Sequence, residues 1–391
     1  MAVSGPRGNT FTLTVPSPLP NASTSVTLAV SAKASSAAGG KTASSKITVT
    51  YGGFGCVTYY PLPSSSAQPN GITAGPDGNV WFTEGTVSGN GKVGRIEPSS
   101  GAITEFSAGL PTSDYYGIIS GPNDSLWFAG YDCGCLGSIT TSGTISTVAI
   151  DAFKWGGRLY SPSLVGVAQN GSSVWFTNSA TNSVGWYNPS SNAQQQIGLA
   201  YGQSGTYYVN TPDWSIVTGP DGALWTVGED LSEVDRVSPI DGSYKTIMLQ
   251  SGGTGYTANA ITSGPDGNLW IGGSVSLSSG YTAFVGRLST SGASFTPYLV
   301  DAGSPYEPES ASAITTGSDG NLYFLEELNG RITDIGKATT SGTVTIYPVP
   351  ADSHGPGGYG GGEFSSITYG SDGNLWFTDC VGGSIGRFTL H

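Results

Sequence analysis

The chain has 391 residues, of which only 10% are charged, and its formal net charge is −13. An acidic chain with few Lys and Arg lacks the clustered cations that nucleic-acid binding needs, and no apolar run is long enough for a membrane-spanning helix. We therefore expect no nucleic-acid partner and no membrane span. The 61 Gly and 23 Pro, without any long run of helical period, predict an all-β fold. Low charge with abundant Ser, Thr, Gly and Tyr is typical of extracellular or cell-surface proteins.

Residues 1–54 differ in composition from the rest of the chain. They are rich in Ser, Ala and Thr and contain three strand-like runs, Phe11–Val15, Ser25–Ser31 and Lys46–Tyr51. These runs resemble part of an immunoglobulin-like (Ig-like) sandwich, but three strands are too few for independent stability. Two interpretations stay open. The segment is an incomplete sandwich or a small sheet packed on the following domain, or it presents an edge that another subunit completes.

A short phrase recurs seven times between residues 55 and 391. Its first copy runs from Gly75 to Trp81, as Gly-Pro-Asp-Gly-Asn-Val-Trp, and the later copies end in Trp127, Trp175, Trp225, Trp270, Tyr323 and Trp376. The intervals of 46, 48, 50, 45, 53 and 53 residues match the length of a propeller blade, a four-stranded sheet that buries its faces only against neighbouring sheets. Residues 55–391 are therefore predicted to form a seven-bladed β-propeller.

Each unit is predicted to contain an inner, a second, a third and an outer strand. In the first unit these are Gly71–Ala74, Val80–Thr83, Lys92–Ile96 and Ile103–Phe106. The last unit ends without a fourth strand, whereas Cys56–Pro61 precedes the first unit and has the pattern of an outer strand alone. We expect this N-terminal outer strand to complete the seventh blade and close the ring.

The repeat also carries a family resemblance. The segment from Gly71 to Glu84, Gly-Ile-Thr-Ala-Gly-Pro-Asp-Gly-Asn-Val-Trp-Phe-Thr-Glu, and the following Lys92-Val93-Gly94-Arg95-Ile96 resemble the repeat of the virginiamycin B lyase (streptogramin lyase) family. The resemblance covers about residues 56–391 and implies a seven-bladed propeller. For the lyase itself it implies a magnesium-dependent elimination that linearises a cyclic depsipeptide antibiotic at its ester. In the family pattern, a His precedes an inner strand and a Glu ends the following Trp-Phe-Thr strand.

The histidine of that pattern is missing. An eliminating base needs a pKa near neutrality, which a His side chain supplies. The chain has two His, His354 in a Gly-rich loop and His391 at the end, and neither precedes an inner strand. The seven residues that do so are Asn70, Tyr116, Leu164, Trp214, Asn259, Ser312 and Ser365. We therefore predict that the chain lacks streptogramin lyase activity.

The carboxylates of the pattern remain in part. Three units that become consecutive once the ring closes end their second strands in an acidic residue, namely Glu84, Glu326 and Asp379. Carboxylate oxygens are the ligands that hard cations prefer, so these residues are candidate ligands of Ca²⁺ or Mg²⁺. The alternative is that they are solvated side chains at strand ends and bind no metal.

The loops that lead into the inner strands carry aromatic and polar side chains, and loops on a rigid scaffold often carry function. Aromatic faces beside polar groups suit a glycan or a peptide. The alternative is that these rings fill small cores beneath the loops. The candidate ligand-binding residues are Tyr116, Trp155, Arg158, Tyr208, Trp214, Tyr256 and Tyr359.

Four cysteines, Cys56, Cys133, Cys135 and Cys380, allow three pairings. The Cys-x-Cys spacing of Cys133 and Cys135, with no His nearby, does not match a zinc site. A disulfide between Cys56 and Cys380 would latch the ring, but the two are expected at opposite ends of their strands.

Two classes of function follow. The first is a secreted or cell-surface binding or structural module. It would hold a glycan, a peptide or a neighbouring subunit through its loop-rich face, or another subunit through residues 1–54. The second is a metal-dependent carbon–oxygen lyase related to the virginiamycin B lyase family that acts on an ester or a polysaccharide. In that case Glu84, Glu326 and Asp379 would surround the metal, and a Tyr such as Tyr116 or Tyr359 would serve as base.

Overall fold

The computed structural model describes residues 2–4, 12–14, 25–33, 42–50, 57–64, 67–86, 90–155, 158–199, 213–228, 232–277, 280–300, 310–328, 331–349, 366–380 and 382–390. The chain divides into two compact units, residues 1–56 with residue 391, and residues 57–390. In the first unit, Ala2–Ser4 pairs with Thr12–Thr14 and Ser25–Lys33 pairs with Thr42–Thr50, both antiparallel. An Ig-like arrangement of these strands stays a prediction.

The second unit is a seven-bladed β-propeller, which confirms the fold predicted from the repeat. Each blade is a four-stranded antiparallel sheet whose strands follow one another in chain order, except that the last blade takes its outer strand from the start of the unit. From inner to outer strand, blade 1 is Ala67–Ala74, Val80–Thr86, Lys92–Ile96 and Ile103–Phe106; blade 2 is Tyr115–Gly121, Ser125–Gly130, Cys135–Thr140 and Ile145–Ala149; blade 3 is Leu164–Asn170, Ser173–Asn178, Ser183–Asn188 and Ala193–Gly198; blade 4 is Asp213–Thr218, Leu224–Gly228, Glu233–Val237 and Tyr244–Met248; blade 5 is Thr257–Ser263, Leu269–Leu277, Gly280–Leu288 and Phe295–Leu299; blade 6 is Ser310–Thr316, Leu322–Leu328, Arg331–Ala338 and Val344–Pro348; blade 7 is Ile367–Tyr369, Leu375–Asp379, Ser384–Phe388 and Val57–Pro61.

Shorter elements lie between the blades. Phe153–Trp155 pairs with Arg158–Tyr160 ahead of blade 3, and Gln250–Ser251 pairs with Thr254–Gly255 ahead of blade 5. A 3-10 turn, Pro122–Asp124, links two strands of blade 2. Among the described residues, no helix has the length and apolar character that a membrane crossing requires.

The ring closes between blades 7 and 1. Val57–Pro61 runs antiparallel to Ser384–Phe388 and forms the outer strand of blade 7. The Thr378 hydroxyl donates to the carbonyl of Asn70 at 2.8 Å, across 308 residues of sequence. These contacts join the two ends of the repeat array, so that every blade has a neighbour on both faces.

The large rings fill the spaces between blades because alternate residues of a strand face opposite sides of its sheet. In blade 1, Trp81 packs with Tyr115 and Phe128 of blade 2, whereas Phe82 packs with Trp376 of blade 7. Phe82 lies across Gly94, where a β carbon would come within 2.1 Å of the Phe ring. This close approach explains the glycine in the predicted third strand.

Blade 4 departs from this rule. The cross-strand pair of aromatic and glycine is replaced there by Thr226 and Asp235, and Asp235 is buried. The Thr246 hydroxyl donates to the Asp235 carboxyl at 2.5 Å. Burial raises the pKa of Asp235 to about 6, with a further rise from Glu233 and a partial offset from the Thr246 hydrogen bond.

The Asp-Gly pairs are turns, as the repeat predicts. The Asp77 carboxyl accepts a hydrogen bond from the Trp81 indole at 3.0 Å, and Gly78 takes a positive φ of 81°. Asp221, Asp266 and Asp372 hold the following Trp in the same way, and Asp319 holds Tyr323. We call this side of the propeller the turn face.

Candidate functional site

The opposite side, which we call the loop face, carries the ends of the second strands and the connections between blades. Because neighbouring strands within a blade are antiparallel, these two sets of residues lie at the same end of each sheet. The metal-binding and ligand-binding residues predicted from the sequence that the structure describes belong to the strand ends and connections of this face.

Glu84 lies in the second strand of blade 1, two residues before the strand ends at Thr86, and is fully buried. It lies beside Lys92, directly across the strand pair, and near Glu105, with which Lys92 forms an ion pair. Neither Glu84 oxygen has a hydrogen-bond partner among the described residues. Burial raises the pKa of Glu84 to about 7; Glu105 adds to the rise and Lys92 reduces it.

Glu326 occupies the same place in blade 6 and is also fully buried. Burial raises its pKa to about 8, with a further contribution from Asp334 on the neighbouring strand. Asp379 in blade 7 is half-buried, and its carboxyl accepts a hydrogen bond from the Gly382 amide at 2.9 Å. The alternative to a metal site was that these carboxylates are solvated at the ends of their strands. The burial of Glu84 and Glu326 does not agree with that alternative.

The three acidic residues point into three different spaces between blades. Glu84 is on the side of its strand that carries Phe82 and faces blade 7. By the same alternation Glu326 lies with Phe324 and faces blade 5, and Asp379 lies with Phe377 and faces blade 6. Across the described parts of the chain, no group of three or more His, Cys, Asp and Glu side chains is placed to hold a metal ion. The metal-ligating role of the three residues stays a prediction.

The metal prediction has a direct test in the melting temperature of EDTA-treated protein. Ca²⁺ or Mg²⁺ at a hundredfold excess over Kd should raise the free energy of unfolding by about 2.7 kcal/mol, and Glu84→Gln should remove the rise. Equal melting temperatures with and without either ion would contradict a metal site.

At three of the seven positions that precede an inner strand, the side chain contacts a neighbouring blade. Asn70 is buried, and its amide donates to the carbonyl of Tyr115 in the next blade at 2.9 Å. Leu164 is buried in the core between blades 2 and 3. The Asn259 amide donates to the Ser310 hydroxyl of the next blade at 2.5 Å. These residues bind neighbouring blades, which is a structural role.

Tyr116 is a predicted ligand-binding residue that lies at the start of blade 2. It is half-buried, and its ring contacts that of Tyr131 edge-on at 5.6 Å. The connection beside it is held by the Tyr131 amide, which donates to the Asp114 carbonyl, and by the Asp114 amide, which donates to the Asp132 carboxyl at 3.1 Å. Burial raises the pKa of Tyr116, and Asp114 raises it further, so the phenol is a poor base at neutral pH.

The other predicted ligand-binding residues differ in placement. Tyr256 is buried, and its ring packs between Phe284 at 5.0 Å and Phe295 at 5.4 Å, so it belongs to the core. For Trp155, Arg158 and Trp214 only the backbone is described, in strands Phe153–Trp155, Arg158–Tyr160 and Asp213–Thr218. Tyr208 and Tyr359 lie outside the described residues.

Two hairpins of the loop face carry exposed apolar residues that were not singled out from the sequence. Leu159 is 71% exposed on the hairpin ahead of blade 3, and Tyr281 is 64% exposed on the long hairpin of blade 5. Leu277, 37% exposed, precedes Tyr281 on that hairpin. The two strands of the blade 5 hairpin, Leu269–Leu277 and Gly280–Leu288, have nine residues each and are longer than the second and third strands of most other blades. The longer spacing between Trp270 and Arg287 was the sequence signal for this projection.

Cys133 and Cys135 form a disulfide in the turn between the second and third strands of blade 2. Cys380 is a free, buried cysteine at the end of the second strand of blade 7, and Cys56 lies outside the described residues. Burial raises the pKa of the Cys380 thiol to about 11, with Asp379 and Glu327 adding to the rise.

The fold and these positions define a class of protein, the seven-bladed propellers whose blades repeat a Gly-Pro-Asp-Gly turn before an aromatic second strand. Within this class, the virginiamycin B lyase family matches residues 42–155 and 154–391. The chain belongs to the virginiamycin B lyase family. A search of curated proteins finds no match to the sequence.

Solved structures show the same fold at low identity. A streptogramin B lyase is 23% identical, with a TM-score of 0.64, over 86% of this chain and 98% of that one. A catalytically inactive histidine-to-alanine variant of virginiamycin B lyase from Staphylococcus aureus, with quinupristin, is 21% identical, with a TM-score of 0.64 and coverage of 86% and 99%. YCF48 bound to a D1 peptide is 12% identical, with a TM-score of 0.59 and coverage of 86% and 96%.

Proposed function

We propose that this chain is a binding propeller without streptogramin lyase activity, which acts outside the cell and holds a peptide or protein segment on its loop face. One observation carries the proposal. None of the seven residues that precede an inner strand is a histidine, and three of them, Asn70, Leu164 and Asn259, bind or pack against neighbouring blades. A histidine-to-alanine variant of the Staphylococcus aureus lyase is catalytically inactive.

The surface of the loop face supports a peptide or protein ligand. Leu159 and Tyr281 stand on two projecting hairpins and expose most of their apolar side chains. Apolar and aromatic residues raised from a rigid scaffold provide anchors for another chain. Tyr116, Tyr131 and the exposed Asp132 add polar groups between blades. A structural relative, YCF48, is solved with a bound peptide.

An extracellular location is part of the proposal. The Cys133–Cys135 disulfide supports it, because disulfides persist in oxidising compartments and are rare in the cytosol. The low content of charged residues agrees with that location.

A selection from a displayed library of random linear peptides tests the proposed binding. We expect the selected peptides to lose at least about fivefold in affinity with Leu159→Ser or Tyr281→Ser, since truncating an anchor residue typically costs more than about 1 kcal/mol. Ile240→Ser is the matched control, because Ile240 is 94% exposed but lies in a turn between the third and outer strands, on the turn face. Equal losses in all three variants, or peptides that bind all three like the unmodified chain, would contradict a loop-face site. Selection of a glycan from an array in place of any peptide would replace the ligand class.

The alternative function is a lyase related to the family. The observation in its favour is that Glu84 and Glu326 have pKa values of about 7 and about 8, close to those of an acid or base at neutral pH. We expect no linearisation of quinupristin by the purified chain with Mg²⁺, measured by mass spectrometry. Turnover that is lost both with EDTA and in Glu84→Gln would support the lyase and contradict the proposed binding function.

A further inference from the structure

The Cys133–Cys135 disulfide closes a very short loop on the loop face. The two cysteines are two positions apart, with Cα atoms 5.2 Å from each other, and they flank Gly134 in the turn that follows Ser125–Gly130. Cys133 is partly exposed, whereas Cys135 is 4% exposed. Cys133 packs partly against the core between blades 1 and 2, but it is the more exposed of the two cysteines and therefore the one that an external thiol reaches more easily.

The turn keeps its shape by hydrogen bonds that do not involve sulfur. The Ser113 hydroxyl accepts from the amides of Asp132 at 3.0 Å and Cys133 at 3.3 Å. The Gly134 carbonyl accepts from the Ile150 amide at 3.0 Å, and Cys135 lies in register with Gly130 in the sheet. These bonds hold both cysteines in place whether or not the sulfurs are joined.

The disulfide contributes little as a staple. Disulfides stabilise a fold mainly by restricting the unfolded chain, and the restriction grows with the length of the closed loop. A loop of three residues restricts the chain very little, and the hydrogen bonds of the turn already restrict it when folded. Reduction of this bond therefore costs the fold little.

The sheet also leaves room for the two sulfurs. A β carbon on Gly130 would lie 2.4 Å from the Cys133 sulfur and 3.0 Å from the Cys135 sulfur. The equivalent position at the end of the second strand carries Glu84 in blade 1 and Glu326 in blade 6. In blade 2 the glycine gives this space to the cysteine pair.

We propose that Cys133 and Cys135 form a reversible dithiol–disulfide centre that exchanges with small external thiols. In the reductive direction, a thiolate of the reductant attacks the Cys133 sulfur, the bond to Cys135 breaks, and Cys135 leaves as a thiolate that takes a proton from water. A second reductant thiolate then attacks the sulfur of the first reductant in the mixed disulfide, and Cys133 leaves as a thiolate that is protonated. Two electrons pass from two thiols to the cysteine pair, and the reductant becomes a disulfide.

Equilibration with reduced and oxidised glutathione tests this centre. In full-length protein with Cys56→Ser and Cys380→Ser, maleimide labelling followed by mass spectrometry counts the thiols of this pair alone. We expect zero thiols in oxidised glutathione, two in reduced glutathione, full reversal between them, and an unchanged near-ultraviolet circular dichroism spectrum. A bond that stays intact until the chain is denatured would overturn the proposal, as would reduction that abolishes the spectrum.

Single-cysteine variants test the assigned direction of attack. In the same background, Cys135→Ser leaves the more exposed Cys133, and we expect it to form a mixed disulfide with oxidised glutathione roughly tenfold faster than Cys133→Ser, since exchange depends on access. Equal rates would overturn the assignment of Cys133 as the attacked sulfur.

The Gly130→Ala variant keeps both cysteines and tests the space beside them. We expect its equilibrium with glutathione to shift from the disulfide toward the dithiol, because the added β carbon crowds the two sulfurs. An unchanged equilibrium would contradict this crowding.

Discussion

Removal of residues 1–62 is expected to abolish cooperative unfolding of the propeller. Blade 7 would lose its outer strand, Val57–Pro61, and with it the stacking of Tyr60 on Trp376 at 5.6 Å and the edge contact of Tyr59 with Phe377 at 6.0 Å. Exposure of two large rings costs roughly 3–6 kcal/mol, which is a large part of the usual stability of a domain. Urea denaturation followed by Trp fluorescence should show an early, broad transition.

Removal of residues 1–54 is the matched control for this truncation. It keeps Val57–Pro61, and residues 57–390 form a compact unit by themselves. We expect the midpoint and the slope of the propeller transition to stay close to those of the intact chain. A synthetic peptide with the sequence of residues 55–64 should restore the sharp transition to the protein that lacks residues 1–62. A sharp transition without the peptide would contradict closure of the ring by this strand.

Replacement of Glu84 by Gln is expected to stabilise the protein at alkaline pH. The pKa of Glu84 rises from 4.5 to about 7 on folding, so the stability of the protonated, buried carboxyl is fully present below pH 4.5 and is lost as the pH rises through about 7. At about 1.4 kcal/mol for each pH unit, the loss reaches on the order of 3 kcal/mol. The Gln variant lacks this ionisation. The difference in unfolding free energy between the Gln variant and the unmodified chain should therefore increase, in favour of the variant, between pH 5 and pH 8.

Glu97→Gln is the control, because Glu97 is exposed and its carboxyl accepts a hydrogen bond from the nearby Ser100 hydroxyl at 2.6 Å. We expect the difference between this variant and the unmodified chain to stay constant with pH. Glu326→Gln should behave like Glu84→Gln, over a window that extends to about pH 8. A parallel pH profile for Glu84→Gln and the unmodified chain would show that Glu84 is not buried in solution.

Most of the fold was predictable because it is written in a local, repeated pattern. Asp77 and Gly78 form a turn by themselves, and an aromatic residue such as Trp81 has to be buried on one side of its strand. Seven copies of such a unit stack side by side, because a single four-stranded sheet leaves both faces exposed. The predicted order of strands in each blade needed no information from distant residues.

The candidate site was less predictable, because each of its side chains meets residues from another part of the chain. The sequence indicated that acidic residues end three second strands, but not that Glu84 and Glu326 face different neighbouring blades. The sequence predicted Tyr256 to lie in a loop that leads into an inner strand. In the structure its ring is part of the core, because Phe284 and Phe295 pack against it.

The sequence by itself determined the number of blades, the strands within them, the Asp-Gly turns and the absence of a histidine at the family position, because these properties depend on residues a few positions apart. Only the tertiary structure decided the burial of Glu84, the pairing of Cys133 with Cys135, and the exposure of Leu159 and Tyr281 on the loop face. Burial, proton affinity and accessibility depend on the groups that surround a side chain, and in a closed ring those groups come from neighbouring blades. The bond between Thr378 and Asn70, across 308 residues, shows how far apart in sequence such neighbours lie.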